Sequence, residues 1–309
     1  MVGNRQNPLV RAAQLSRVEY HGWKDSYVLT NGIVEAVVVP SISRIMQLRL
    51  ADNERGVFWE NRELDGDHAS GGCEWKNFGG DKAWPAPQKD WESRTGRAWP
   101  PPTAYDAASC EARAENQGLT LISPIDDDYG MQVLRHIALK PGLPVMEVTS
   151  LYRKVVGPLV RVGVWVVTQL RDPQSVFALL PESHKSGDGY ARLSGPVPLD
   201  AHRKGRLLSL RRDPAHNLKI AIDGDSLAWM DHEHVLRIDA SSALGAENRC
   251  STAVYTNMDP LQYVELESEG EVTPLAIGCT LMVTNTYTLA PRSVDDATAE
   301  ACKIFGLAM

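Results

Sequence analysis

Ile42-Ser43-Arg44-Ile45-Met46-Gln47-Leu48-Arg49-Leu50 decides the fold. Its polarity changes largely at every second residue, the period of a β-strand with one face in a core and the other in water. Working outward, Ile33 to Val39 lies just upstream, and similar short, β-branched runs bounded by Gly, Pro, Asn or Asp continue downstream. They cover Gly118 to Ser123, Met131 to Leu139, Val145 to Arg153, Leu159 to Leu170, Leu207 to Leu210, Asn217 to Ile222, Val235 to Asp239, Thr252 to Thr256, Gln262 to Glu267 and Thr280 to Leu289. About a dozen strands exceed what one small barrel holds. Turn chemistry such as Lys140-Pro141-Gly142 and Asp223-Gly224-Asp225 joins them as antiparallel hairpins, not as crossovers through helices. The sequence therefore predicts an all-β fold, a large antiparallel two-sheet sandwich over residues 17–290. One short C-terminal helix follows over 293–305, where Ser293 with Asp296 three residues later forms a capping box ahead of Ala297 to Phe305. No linker divides residues 1–309, so a single domain is expected.

Composition narrows the function. A hydrophobic content of 43% with 23% charged residues is that of a globular chain able to bury a core without disulfides or metals. The net charge of −7 disfavours nucleic acid and anionic membrane as partners. Cys73, Cys110, Cys250, Cys279 and Cys302 are odd in number and contain no C-x-x-C pair, which argues against a disulfide framework and a zinc site. The first residues lack the apolar segment of a secretory signal, and nowhere do about 18 apolar residues run together, so a cytoplasmic location is expected. A periplasmic one applies if a signal has been removed. The sequence leaves the oligomeric state open.

Asn77-Phe78-Gly79-Gly80-Asp81-Lys82-Ala83-Trp84-Pro85-Ala86-Pro87-Gln88-Lys89-Asp90-Trp91, followed by Trp99-Pro100-Pro101-Pro102, holds three of the eight Trp. Proline removes backbone donors and fixes φ, so the stretch reads as a long rigid loop and not as a central strand. Exposed aromatic planes beside Asp81, Lys82 and Gln88 suit a polyol, with Trp84 and Trp91 stacking on C–H faces while polar groups bind hydroxyls. A loop that plugs the end of a sheet has the same composition.

Tyr263-Val264-Glu265-Leu266-Glu267 is the second signal, because a period of two puts Glu265 and Glu267 on one strand face, roughly 6 to 7 Å apart. In a pocket their repulsion raises one pKa toward the range of general acid–base work, whereas on an exposed face they pair with Lys or Arg. Trp165, Val167 and Gln169 share a face in the same way, offering one aromatic plane and one amide, or a core tryptophan. Arg44 is a hydroxyl or ring-oxygen donor if it points into the same cavity, and a surface ion-pair partner otherwise. His232-Glu233-His234 lacks a third ligand, and Asp126-Asp127-Asp128 before Tyr129-Gly130 reads as a turn, so no metal is expected. His136 and His184 stand alone, the latter in a polar loop. Neither a P-loop nor a G-x-G-x-x-G follows any strand, and no cofactor is expected.

Together these residues resemble the galactose mutarotase-like (aldose 1-epimerase) superfamily, in order over roughly residues 25 to 290. The Gly79-Gly80-Asp81-Lys82 and Trp84-Pro85-Ala86-Pro87-Gln88 segments look like a loop of an uncharacterised bacterial branch. Glu265-Leu266-Glu267, followed by Leu275, Gly278 and Tyr287, looks like the family's Glu-x-Gln strand. The resemblance implies a β-supersandwich with a sugar cleft across a concave sheet, with Glu265 as the base that takes the anomeric proton and Glu267 in place of the Gln. Arg44 corresponds to a sugar-contacting arginine, with Ser43 where the family has Gly. The family's acid is a histidine, yet Phe78 stands where the epimerases keep their first histidine, and Trp165 to Gln169 contains none. Lys82 is the nearest substitute, as a donor that binds sugar hydroxyls, or as an acid if burial or a neighbouring cation lowers its pKa against the pull of Asp81 or Glu265.

The expected protein binds a small sugar or oligosaccharide in a cleft walled by Asn77 to Trp91, and epimerises or mutarotates it if Glu265 and Lys82 act as catalytic groups. A non-catalytic carbohydrate-binding module, a glycosidase using Glu265 and Glu267, and a structural or protein-interaction sandwich are the alternatives. Cleavage is disfavoured because neighbours on one strand do not readily flank a glycosidic bond from opposite sides.

Overall fold

A computed structural model describes residues 13–69, 74–115, 118–183, 187–195, 201–242 and 250–308. Two large antiparallel sheets pack face to face. The first runs in the order Gln14–Tyr20, Trp23–Thr30, Val34–Val39, Arg44–Leu50, Asp81–Ala86, Val160–Arg171, Tyr263–Glu269, Ser251–Thr256, Leu218–Ile222 and Tyr190–Ser194, with Thr273–Leu275 also pairing onto Val160–Arg171. The second runs Ala201–Lys204, Leu207–Leu210, Ser175–Leu179, Ser226–Met230, His234–Ser242, Thr280–Pro291, Val145–Lys154, Met131–Leu139, Gly118–Ile122 and Glu111–Glu115. The all-β two-sheet architecture predicted from alternation is the one observed.

Alternation also locates the core. In Met131–Leu139 every second side chain is buried, and the same holds over most of Thr280–Pro291. Ile137, Leu139, Tyr287 and Leu289 of these strands join Val34, Ala36, Leu48, Val264 and Leu266 of the opposite sheet in one core. Val160–Arg171 departs from the pattern, being buried on both faces from Val162 to Leu170. A strand covered on both sides near the middle of a sheet has something packed on its outer surface.

That cover begins with a departure from the sequence reading. Asp81–Ala86 is an interior strand and not part of a loop, pairing with Val160–Arg171 from Thr168↔Asp81 to Gly163↔Ala86. Proline is tolerated because the other neighbour, Arg44–Leu50, pairs with it only at Ile45↔Asp81. Beyond that point the strand has an edge, where a missing donor breaks no ladder. Carbonyls there find side chains instead, as Tyr152 donates its hydroxyl to Trp84 O at 2.6 Å and Trp91 donates its indole N–H to Pro85 O at 2.7 Å. The chain then forms the short helices Trp91–Thr95 and Thr103–Asp106, which bring Trp91 and Tyr105 into a second apolar cluster with Trp84 and Trp165.

The C-terminal helix is Ala297–Phe305, and it packs Ala301 and Phe305 against Phe177 and Val235 of the second sheet. Its cap differs from the expected box. Asp296 is the N-cap, accepting from Ala299 N at 2.7 Å, while Ser293 binds the Glu300 carboxylate outside the helix. Among the described residues no helix is long and apolar enough to cross a membrane. His184, Cys73 and residues 1–12 lie outside the described residues.

Candidate functional site

Two glycines decide which way Asp81 and Lys82 point. Gly79 and Gly80 have φ of 91° and 69°, in the left-handed region open chiefly to glycine. A Cβ at Gly79 would come within 2.2 Å of Trp59 O, and one at Gly80 within 2.5 Å of Ile45 O. The turn delivers the chain into its strand with Asp81 toward the second sheet and Lys82 away from it, since successive side chains alternate.

On the inner face every Asp81 oxygen is engaged. The Arg135 guanidinium of the second sheet donates to its Oδ1 and, at 3.0 Å, to its backbone O, while Thr168 and Tyr287 hydroxyls each donate to Oδ2 at 2.6 Å. Asp81 is fully buried. Expected to bind substrate, it instead pins the two sheets together, with no lone pair directed at the outer face.

The outer face carries a polar row. Register pairs Lys82 with Val167 and Val167 with Glu267, while Gln169 lies opposite Glu265 and Glu265 opposite Tyr255. Trp84 pairs with Trp165, and Lys219 with Tyr255. Directly opposed residues share a face, so Lys82, Trp84, Trp165, Gln169, Glu265 and Glu267 are brought together, joined by Lys219, Tyr255 and Tyr263.

The contacts agree with the grouping. Gln169 Nε2 donates to Glu265 Oε1 at 2.9 Å, and Glu267 Oε2 accepts from Trp165 Nε1 at 2.9 Å and Lys219 Nζ at 2.7 Å. Lys219 Nζ lies over the Trp165 ring at 4.7 Å, and Lys82 Nζ over Trp84 at 5.1 Å. Three buried polar atoms in this neighbourhood have no hydrogen-bond partner among the described residues: Lys82 Nζ, Gln169 Oε1 and Glu267 Oε1. Leaving such an atom unmatched costs about 1–3 kcal/mol, and more when it is charged.

Burial sets the electrostatics. It pushes the Glu265 carboxyl above the usual carboxylate range, helped by Glu267 and opposed by Lys82 and Lys219. It pushes the Lys82 ammonium below the ordinary lysine range, helped by Arg44 and opposed chiefly by Glu265. Glu269, next along the strand, is raised for the same reason, with Glu267 adding to it. A carboxyl easier to protonate and an amine easier to deprotonate thus stand on one face, where a proton can be given or taken near neutrality.

Several expected contributors are committed elsewhere. Trp84, Trp91 and Trp165 are 3%, 0% and 6% exposed, so they are not open planes; Trp84 and Trp165 meet edge to face at 5.1 Å, and Trp91 stacks with the half-exposed Trp99 at 6.0 Å. The composition of the segment could not distinguish a grip from a plug, and at Trp91 it is a plug. Arg44 is also buried, donating to Asp106 Oδ1 at 2.7 Å. Asp106 takes two further donors, Trp84 Nε1 at 2.9 Å and Trp75 Nε1 at 3.0 Å, so one carboxylate ties three segments over this end of the face. Gln88 lies exposed on the turn after the strand. Phe78 is buried against Trp23, Val39 and Met46.

His136 bonds Thr120 on the second sheet, and His234 is buried against Asn53 and Asp231. Asp126 accepts from Tyr129 N, as a turn residue does. Among the described residues no three His, Cys, Asp or Glu are grouped to hold a metal. A separate hollow of about 440 Å³, lined by His202, Arg211, Asp295 and Asp296 among others, lies by the C-terminal helix on the second sheet.

Sequence reasoning missed Lys219, Tyr255 and Asp106. Tyr263 was within reach, two residues before Glu265 and so on the same face. Nothing local marks the others, because strand order brings Lys219 and Tyr255 to the row and a helix built after the prolines delivers Asp106.

No family model matches the chain, and no curated protein is similar to it in sequence. Solved structures are. A galactose mutarotase-like protein from Lactobacillus casei ATCC 334 superposes with a TM-score of 0.57 at 11% identity, over 86% of this chain and all of its own. An aldose 1-epimerase candidate from Escherichia coli K12 gives 0.54 at 9% identity over 86% of this chain and 99% of its own. A TPR-domain protein from Parabacteroides distasonis ATCC 8503 gives 0.60 at 12% identity over 92% of this chain but 48% of its own. At such identities the likeness is one of fold, and the chain has the galactose mutarotase-like fold.

Proposed function

We propose that this protein binds a small sugar on the outer face of Asp81–Ala86, Val160–Arg171 and Tyr263–Glu269 and interconverts its anomers. The observation that carries the reading is the set of unmatched polar atoms on Lys82, Gln169 and Glu267 beside Glu265. A polyol supplies hydroxyls that both donate and accept, which suits one ammonium and two oxygens at once. Buried indoles at Trp84 and Trp165 give that face its apolar part. The fold of the solved relatives supports the sugar class.

Glu265 as carboxylate takes the proton of the anomeric hydroxyl while Lys82 as ammonium gives one to the ring oxygen. The C1–O5 bond breaks, leaving an open-chain aldehyde. Rotation about C1–C2 and the reverse transfers close the ring to the other anomer. Each group returns to its starting state.

Exchange NMR on α- and β-galactose and glucose measures this directly. Wild type accelerates exchange, and Glu265→Gln loses about 10²–10⁴-fold. Exchange unchanged by the protein across hexoses and uronic acids would sink the activity. Phe78, which cannot donate a proton, favours non-catalytic sugar binding as the second reading. Calorimetric sugar binding without anomer exchange identifies it.

A further inference from the structure

We propose that Lys82 Nζ is also a nucleophile, forming a reversible imine with the C1 aldehyde of the ring-opened sugar. This rests on the sugar-binding reading above and adds a covalent step to it. Three observations carry it. The amine is fully buried and makes no hydrogen bond to the described residues, so its nitrogen is not held by another group. It sits over the Trp84 indole at 5.1 Å, a wall that keeps water from the amine, while the ring face itself attracts the ammonium form. Glu265 is the strongest opposite charge acting on it, yet the two are not hydrogen-bonded.

The surroundings fit the reaction at each stage. Burial and the Arg44 charge lower the proton affinity of Lys82, so its ammonium passes a proton to the Glu265 carboxylate and leaves an amine with a free lone pair beside a carboxylic acid. That lone pair attacks C1, and the C=O pair moves onto oxygen. Glu265 relays a proton from nitrogen to that oxygen, giving a carbinolamine. A second proton from the Glu265 carboxylic acid lets the hydroxyl leave as water, and the nitrogen pair forms the C=N bond. The products are a protonated imine, a Glu265 carboxylate beside it, and one water, whose return reverses the sequence. No oxidant or reductant is needed.

Position favours the open chain over the ring. Glu265 keeps 9% of its surface exposed and Lys82 none, so the amine lies deeper than the carboxyl. In the open chain C1 is a terminus and reaches inward end-on. Lys219, by contrast, is already held by Glu267 at 2.7 Å and is the internal control.

The test is reductive trapping. The full chain is incubated with galactose, glucose or glycolaldehyde and cyanoborohydride, then measured by intact mass and peptide mapping. One reduced adduct is expected on the peptide carrying Lys82, forming at least about tenfold faster than on exposed Lys24 or Lys89, because the uncharged fraction of an amine rises about tenfold when its pKa falls by one. Lys82→Arg and Lys82→Met abolish it, and Lys24→Met, at an exposed residue away from the row, retains it. Modification of exposed lysines alone, with anomer exchange intact, overturns the imine and leaves the proposed function standing. Absence of both adduct and exchange overturns both. An adduct at Lys82 without anomer exchange supports the imine and rejects the isomerase. Circular dichroism of each variant separates lost chemistry from lost fold.

Discussion

Asp81 and Lys82 are adjacent in sequence and opposite in circumstance. Both are charged, both are fully buried, and they face opposite sides of one strand. Asp81 is met by a guanidinium and two hydroxyls, whereas Lys82 meets no hydrogen-bond partner among the described residues. A charge in a protein interior is tolerable when its surroundings were built to receive it. The inner face is built in that way for stability. The outer face leaves the same kind of demand unanswered in a row of residues, the mark of a surface arranged for something other than the fold.

The comparison is broken most forcefully at Asp81. Asp81→Ala leaves the Arg135 charge buried without its carboxylate and is expected to cost about 3–5 kcal/mol in urea unfolding. A loss below about 1 kcal/mol would show that the pin is not structural. Glu265→Gln follows, with the loss of anomer exchange given above and an unfolding midpoint that rises at pH values above the ordinary carboxylate range, where wild type loses stability. Lys82→Met has the opposite sign to Asp81→Ala. Replacing an unmatched buried ammonium with an apolar side chain of similar length is expected to stabilise by about 1–3 kcal/mol while impairing exchange. Destabilisation of that size would mean that Lys82 has a structural partner.

The pH dependence sharpens the contrast. Glu265 has a raised pKa in the folded state, so the folded protein holds the extra proton and stability falls as pH rises from the ordinary carboxylate range through the raised value. Lys82 has a lowered one, so stability rises as pH passes from its lowered value toward the ordinary lysine range. Each contribution is about 1.4 kcal/mol for every pH unit that separates the folded from the unfolded pKa. Glu265→Gln removes the first slope and Lys82→Met the second, read from unfolding curves across pH. Anomer exchange, needing carboxylate and ammonium together, rises through the first pKa and falls through the second. The smallest effect belongs to Gln88→Ala, where exposure beyond the strand predicts a change within about 0.5 kcal/mol in stability and none in sugar affinity.

Much of this was legible before any coordinates. Alternation found the principal strands, and period two put Glu265 beside Glu267 and Trp165 beside Gln169, because local geometry alone sets those relations. The Asp81–Ala86 strand was not legible, since the rule against proline in a central strand presumes pairing on both sides and here one neighbour departs after Ile45. Exposure of tryptophans was illegible too. Whether Trp91 faces solvent or a carbonyl at Pro85 depends on how the following helices fold back. Lys219 and Arg135 belong to distant strands, and only the order of strands in the two sheets assigns one to the polar row and the other to the pin.

Gly79 and Gly80 tie the fold to the chemistry by counting. The turn they make fixes which residue of the next strand is odd and which even, and a shift of one place would send every side chain to the other face. Inserting one residue between Gly80 and Asp81 would carry an ammonium toward Arg135 and a carboxylate toward Glu265, so that both faces fail together. Within this strand a single replacement disturbs one face, whereas a shift of frame disturbs both. An added residue is therefore expected to be tolerated only before the glycine pair or after Ala86.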